Sequence, residues 1–141
     1  MIENTDLPGG YGSPTSVCGN GDMTVQETKT RILVIEDEML IAALLEDMLA
    51  DLGHEVVGPV TRLNEALAAV AREDFDIAIL DLHLNGQSAY SVADVLIERG
   101  IPFAFATGYG ANGLPQKYRG RPVLQKPFAR EDIEMMLKAF R

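Results

Sequence analysis

Twice in this chain an uninterrupted apolar run ends on a carboxylate: Ile32-Leu33-Val34-Ile35 runs into Glu36, and Ile77-Ala78-Ile79-Leu80 runs into Asp81. A strand with one wet face alternates apolar and polar residues; these runs do not, so they read as strands buried on both faces, as in a parallel sheet. Around them the period becomes helical. After the acidic triplet Glu36-Asp37-Glu38, apolar residues recur at Ile41, Leu45, Met48 and Leu52, a stripe that Gly53 ends. Residues 54–60 read as the next strand, and residues 62–72 as a helix with Leu63, Ala66, Leu67 and Val70 inward. A third strand over residues 76–80 leads to a helix over residues 88–98 carrying Ala89, Val92, Ala93 and Leu96 at helical spacing. Residues 101–106 form a fourth strand, Val123 and Leu124 a short fifth, and residues 130–140 a last helix packed through Ile133, Met136, Leu137 and Phe140. Strands alternating with helices predict an α/β fold, a doubly wound parallel sheet covered on both faces.

One connection breaks the pattern. Between the fourth and fifth strands lie Gly108, Gly110, Gly113, Gly120 and Pro115, where a full amphipathic helix is expected. Glycine and proline weaken a helix, so the fourth helix is predicted to be short or irregular.

With 141 residues the chain has room for one domain, and 47 % apolar residues supply a core without disulfides. Cys18 is the single cysteine and has no histidine near it; His54 and His83 are the only histidines, which excludes a His-rich metal site. Residues 1–28, rich in Gly, Ser, Thr, Asn and Pro and without Lys or Arg, read as a disordered tail ahead of a domain over residues 29–141. No stretch approaches the roughly 18 apolar residues of a membrane span, and no signal peptide is visible, so the expected location is the cytoplasm. The net charge of −9 argues against a nucleic-acid partner. The C-terminal part is nevertheless locally basic, and Lys117, Arg119 and Arg121 are candidates for a protein-facing surface as well as for an ordinary solvated face.

In a doubly wound sheet, sites form at the carboxyl ends of the strands. There the sequence puts Glu36, Asp37 and Glu38 after the first strand, Asp81 after the third, Thr107 after the fourth and Lys126 just past the fifth. Each alone has an ordinary explanation. An acidic triplet can be a solvated helix start, and a strand-end aspartate can serve loop hydrogen bonds. Together they describe carboxylates that repel unless a cation neutralises them, and oxygen ligands of this kind suit Mg²⁺ or Mn²⁺. A carboxylate nucleophile at Asp81, clamped with metal, ammonium and hydroxyl, is what phosphoryl transfer requires.

The set Ile-Leu-Val-Ile-Glu36-Asp37-Glu38, Ile-Ala-Ile-Leu-Asp81, Ala106-Thr107-Gly108 and Gln125-Lys126-Pro127-Phe128 resembles the bacterial response-regulator receiver family over residues 29–141. The resemblance implies a flavodoxin-like five-stranded sheet of order 2-1-3-4-5. Asp81 then matches the phosphoacceptor. Glu36 and Asp37 match the metal-binding acidic pair, and His83 the position that offers its backbone carbonyl to the metal. Thr107 matches the switch hydroxyl and Lys126 the phosphoryl-contacting lysine. The implied partner is a sensor histidine kinase or phosphotransfer protein, with the receiver catalysing its own phosphorylation and slow hydrolysis rather than acting as a conventional enzyme.

Three positions depart from the common pattern. Glu36 stands where Asp is usual; the loop Leu82-His-Leu-Asn-Gly86 lacks the usual Met-Pro; and Val123 replaces the aromatic switch residue three before the lysine. Pro102-Phe-Ala-Phe-Ala-Thr-Gly-Tyr109 is similar instead to an atypical subgroup of single-domain alphaproteobacterial regulators, fed by kinases of the HWE or related types; here Tyr109 could supply the aromatic response or simply pack over the short fifth strand. No output domain is expected after Arg141, so the implied output is contact with an unknown downstream protein, or service as a phosphate shuttle or sink.

Rival readings fit less well. A nucleotide or flavin binder wants glycines or hydroxyls after the first strand, where this chain has three acids. An aspartyl phosphatase resembles Asp-x-Asp where this chain has Asp81-Leu82-His83. A phosphorylation-independent binding module has no need of Asp81, Thr107 and Lys126 together.

Overall fold

The computed structural model describes residues 30–72, 74–108 and 114–140. The expected tail over residues 1–28 and the switch candidate Tyr109 lie outside them. The elements run β1 (Arg31–Ile35), α1 (Met39–Asp51), β2 (Glu55–Val60), α2 (Leu63–Arg72), β3 (Ile77–Asp81), a hairpin of β4 (His83–Leu84) and β5 (Gln87–Ser88), α3 (Tyr90–Arg99), β6 (Phe103–Thr107), a 3-10 turn (Gln116–Tyr118), β7 (Val123–Gln125) and α4 (Arg130–Ala139).

The main sheet is parallel, with order β2-β1-β3-β6-β7. Counting these strands alone gives 2-1-3-4-5, as the resemblance implies. Alternation along each central strand divides its side chains between two cores. Leu33, Ile35, Ala78, Leu80, Phe103 and Phe105 face α2 and α3, whereas Ile32, Val34, Ile79, Ala104 and Ala106 face α1 and α4. The uninterrupted apolar runs are therefore two half-strands' worth of core, one for each face.

On α1 the buried positions are Ala42, Leu45 and Leu49, while Ile41, Met48 and Leu52 are only half-buried. The expected stripe holds at Leu45 and is corrected at Ile41 and Met48, whose places in the core go to Ala42 and Leu49. Ile41, Met48 and Leu52 pack at the flank of the core, beside the fully buried Leu45 and Leu49. The expected stripe on α3 is fully buried at Ala89, Val92, Ala93 and Leu96.

In the fourth connection, the helical structure among the described residues is one 3-10 turn. Leu114 and Tyr118 seat it on the core, both buried. Tyr118 stacks on Tyr90 at 4.9 Å between ring centroids, meets the edge of Phe105, and donates its hydroxyl to Asp94 Oδ1 at 2.7 Å. The basic residues nearby make contacts within the connection, although Lys117 and Arg119 stay exposed. Lys117 pairs with Asp94 at 3.1 Å, Arg119 Nε donates to the Leu114 carbonyl, and Arg121 lies over the Phe103 ring. Among the described residues of this connection, these side chains hold the 3-10 turn against the core. Tyr118→Phe, which removes one charge-assisted hydrogen bond and leaves the ring stack, should cost about 1 kcal/mol. Denaturant unfolding would measure that loss, and faster amide exchange confined to residues 114–121 would place it.

Candidate functional site

The parallel register brings the ends of β1, β3, β6 and β7 to one edge. Asp81 pairs with Ala106, Thr107 pairs with Gln125, and the Lys126 N–H donates to the Thr107 carbonyl at 2.7 Å. Glu36, Asp81 and Thr107 are the buried polar or charged residues among those described. Burying them requires a compensating partner, because an ion out of water is costly alone. Lys126 reaches in from β7: its Nζ lies 2.9 Å from Glu36 Oε1, 3.4 Å from Asp81 Oδ2 and 4.0 Å from Glu38 Oε1. Asp37, Glu38, Asp81, His83, Gly86, Thr107, Gly108 and Lys126 line an open cleft of about 600 Å³.

Backbone donors fix the carboxylates. The His83 N–H donates to Asp81 Oδ1 at 3.3 Å, the Glu38 N–H to Glu36 Oε2 at 3.2 Å, and the Asn85 N–H to Asp37 Oδ2 at 2.9 Å. Burial, followed by the hydrogen bond and charge of Glu36, pushes the Asp81 carboxyl up to about 7 despite Lys126. For Asp37 burial works upward too, yet the Asn85 N–H and the neighbouring carboxyls outweigh it and hold the group below its usual range. Desolvation works against the Lys126 charge, but the Glu36 and Asp81 carboxylates prevail and raise its pKa.

Glu36, Asp37 and Asp81 each offer an oxygen, and all three atoms lie within 4.8 Å of one another. One ammonium faces this group. The completely buried Glu36 Oε1 is close to Lys126 but accepts no well-directed hydrogen bond, so it retains unmet acceptor capacity. These residues fit a hard divalent cation, which takes carboxylate oxygens and compensates the excess negative charge. A cation must compete with the proton on Asp81. With that carboxyl titrating at about 7, apparent Mg²⁺ affinity should fall about tenfold between pH 8 and pH 6. Calorimetric titration of Mg²⁺ at several pH values measures it, together with the proton released on binding.

The sequence-predicted residues Glu36, Asp37, Asp81, His83, Thr107 and Lys126 thus converge. Lys117, Arg119 and Arg121, the candidates for a protein-facing surface, lie apart from this edge on the fourth connection, where Lys117 and Arg119 are exposed. Sequence reasoning missed Asn85 and the Tyr118–Asp94 pair. Asn85-Gly86 is a two-residue hairpin signal, with φ of +52° and +80°, and the spacing of Leu114 and Tyr118 was the trace of an inward face.

Residues 32–138 match the Response regulator receiver domain family. Among solved structures, SdrG from Sphingomonas melonis Fr1 is 43% identical with a TM-score of 0.73, over 81% of this chain and 98% of that one. The response regulator PhyR from Brucella abortus is 33% identical with a TM-score of 0.69, over 79% of this chain and 47% of that one. Transcriptional regulatory protein TcrA from Mycobacterium tuberculosis is 31% identical over 99% of this chain and 54% of its own length. The chain spans about half the length of the curated relatives it matches. No helix among the described residues is long and apolar enough to cross a membrane.

Proposed function

Because the chain belongs to the response regulator receiver domain family, we propose that it is a phosphorelay receiver in which Asp81 takes a phosphoryl group from a kinase phosphohistidine. The observation that carries this reading is the gathering of Glu36, Asp37, Asp81 and Lys126 at one strand-end edge, around an open cleft.

An Asp81 carboxylate oxygen attacks phosphorus, the P–O bond forms as the P–N bond breaks, and the P–N electron pair stays on the ring, which leaves as neutral imidazole because its other nitrogen already carries a proton in the phosphohistidine. Glu36, Asp37, Asp81 and the His83 carbonyl would hold Mg²⁺ or Mn²⁺. When bound, the cation would supply charge neutralisation for the phosphoryl oxygens and the carboxylates. Lys126 gives a compact positive charge from the β7 side, and Thr107 a hydroxyl on the strand beside Asp81. Phosphorylation would draw Lys126 and Thr107 toward the new oxygens, redistributing the contacts that Lys126 now makes to Glu36 and Asp81.

The Phe-Ala-Thr-Gly-Tyr sequence and the likeness to SdrG, a protein also solved in a BeF3-activated conformation, support membership of the atypical alphaproteobacterial subgroup. In this reading the partners are a sensor histidine kinase of the HWE or a related type, or a phosphotransfer protein, and a downstream protein met by surface contact in the cytoplasm. Tyr109 supplies the aromatic response that Val123 cannot.

The test is labelling with acetyl phosphate and Mg²⁺, read by intact mass. A gain of about 80 Da that requires Mg²⁺ supports the reading. Absence of labelling both by acetyl phosphate and by a panel of phosphorylated kinases would sink it.

A further inference from the structure

Asp37 is held by a closed circuit of hydrogen bonds that runs through a residue with no part in the reaction described above. The Glu36 N–H donates to the Val60 carbonyl at 2.9 Å. The next carbonyl, that of Thr61, accepts from Asn85 Nδ2 at 3.0 Å, and the Asn85 N–H donates to Asp37 Oδ2 at 2.9 Å. Glu36 and Asp37 are chain neighbours, as are Val60 and Thr61, so three hydrogen bonds tie the end of β1, the end of β2 and the β4–β5 turn into one ring.

Each part of the ring depends on local chemistry. Gly58, with φ of +97°, lets β2 shift register beside Val34, where an added Cβ would stand 3.0 Å from the Val34 carbonyl; the shifted strand pairs Val60 with Ile35. Asn85 has φ of +52°, which asparagine tolerates far better than most side chains. A proline there would have neither the N–H nor that φ. Among the three carboxylates, Glu36 and Asp81 are buried and held by packing, while Asp37 is only half-buried. Its orientation therefore rests on the Asn85 bond more than on its surroundings.

We propose that Asn85 is a positioning residue for the metal site: its backbone N–H orients Asp37, and its side-chain amide bolts the turn that carries this N–H to the end of β2. This rests on the reading that Glu36, Asp37 and Asp81 hold a divalent cation. The bond to Asn85 fixes Asp37 while the carboxylate still presents an oxygen within 4.8 Å of those of its two neighbours. Less side-chain freedom is then lost when a cation binds, which is how outer hydrogen bonds raise metal affinity.

The experiment measures Mn²⁺ affinity by calorimetry on the full chain, in wild type, Asn85→Gly, Asn85→Asp, Asp37→Asn and Asp37→Asn/Asn85→Gly. Asn85→Gly keeps the N–H and the positive φ but removes the bolt. Asn85→Asp keeps the turn's backbone preference and turns a donor into an acceptor facing the Thr61 carbonyl. Both should weaken Mn²⁺ binding about 5-fold or more. In the Asp37→Asn background the glycine change should alter affinity less than about 2-fold, a coupling that general loosening of the fold would not produce. Equal affinity in wild type and either Asn85 variant would overturn the proposal, as would an undiminished loss in the Asp37→Asn background. Failure of the wild type itself to bind Mn²⁺ would overturn the three-carboxylate reading and this inference with it, a result distinct from the other two.

Discussion

Asp81→Asn should accept no phosphoryl group from acetyl phosphate and, in the absence of metal, should be more stable than the wild type. The first half follows from the loss of the nucleophilic oxygen, since a neutral amide is a poor nucleophile toward phosphorus. The second follows from electrostatics. Asp81 is 7% exposed, lies in a cluster with Glu36 and Asp37, and has its carboxyl raised from 3.8 to about 7 by burial and by Glu36. A raised carboxyl pKa means that the folded state binds the proton more tightly than the unfolded one. The favourable contribution is complete below pH 3.8 and is lost as pH rises through about 7. Above that pH the wild type carries an ionised, poorly solvated carboxylate that asparagine lacks. The variant should therefore gain about 1–2 kcal/mol at pH 8, and the gain should shrink as pH falls toward 4. Urea unfolding at the two pH values, with chelator present, measures it. Lower stability of Asp81→Asn at pH 8 would show that Lys126 compensates Asp81 fully.

Lys126→Met should have the opposite sign. Lys126 is 17% exposed and is the cation placed among Glu36, Asp81 and Glu38. Methionine keeps most of the stem's apolar packing while leaving Glu36, itself 1% exposed, without its counter-charge. Removing one partner of a buried pair is costlier than removing both, so about 3 kcal/mol should be lost at pH 8. Two conditions should return part of it: acidification, which protonates Asp81 at a higher pH than in the wild type because the lysine no longer lowers its pKa, and Mg²⁺, which supplies positive charge to the same carboxylates. Thermal unfolding across pH with and without Mg²⁺ separates these effects. A loss independent of both would assign Lys126 a packing role. Phosphorylation should persist in this variant more than the conformational response to it, which difference spectra with and without acetyl phosphate would show.

Much of this was legible in the chain because the signals are local. A strand buried on both faces must be apolar at every position, so Ile32–Ile35 and Ile77–Leu80 announce a parallel sheet. A carboxylate at the end of such a strand must find a counter-charge or a ligand. The order of Glu36, Asp37, Asp81, Thr107 and Lys126 along the alternating elements then places them on one edge, because parallel strands end on the same side. The α1 stripe was right at Leu45 but took Ile41 and Met48 for their neighbours Ala42 and Leu49, because either set fits a helical face. Only the sheet and α4, packed against that helix, choose between the two.

What the sequence determined by itself is the layer order, the two-sided core and the identity of the groups that meet at the strand ends. These follow from periods of 2 and 3.6 residues and from chain direction. The tertiary structure decided how those groups stand to one another. It decided that Lys126 sits nearer Glu36 than Asp81, that Asn85 closes a ring around Asp37, and that Tyr118 with Asp94 pins the 3-10 turn of the fourth connection. Each of these joins residues 24 to 90 positions apart in the chain. Such contacts arise from register and burial, which no local pattern encodes.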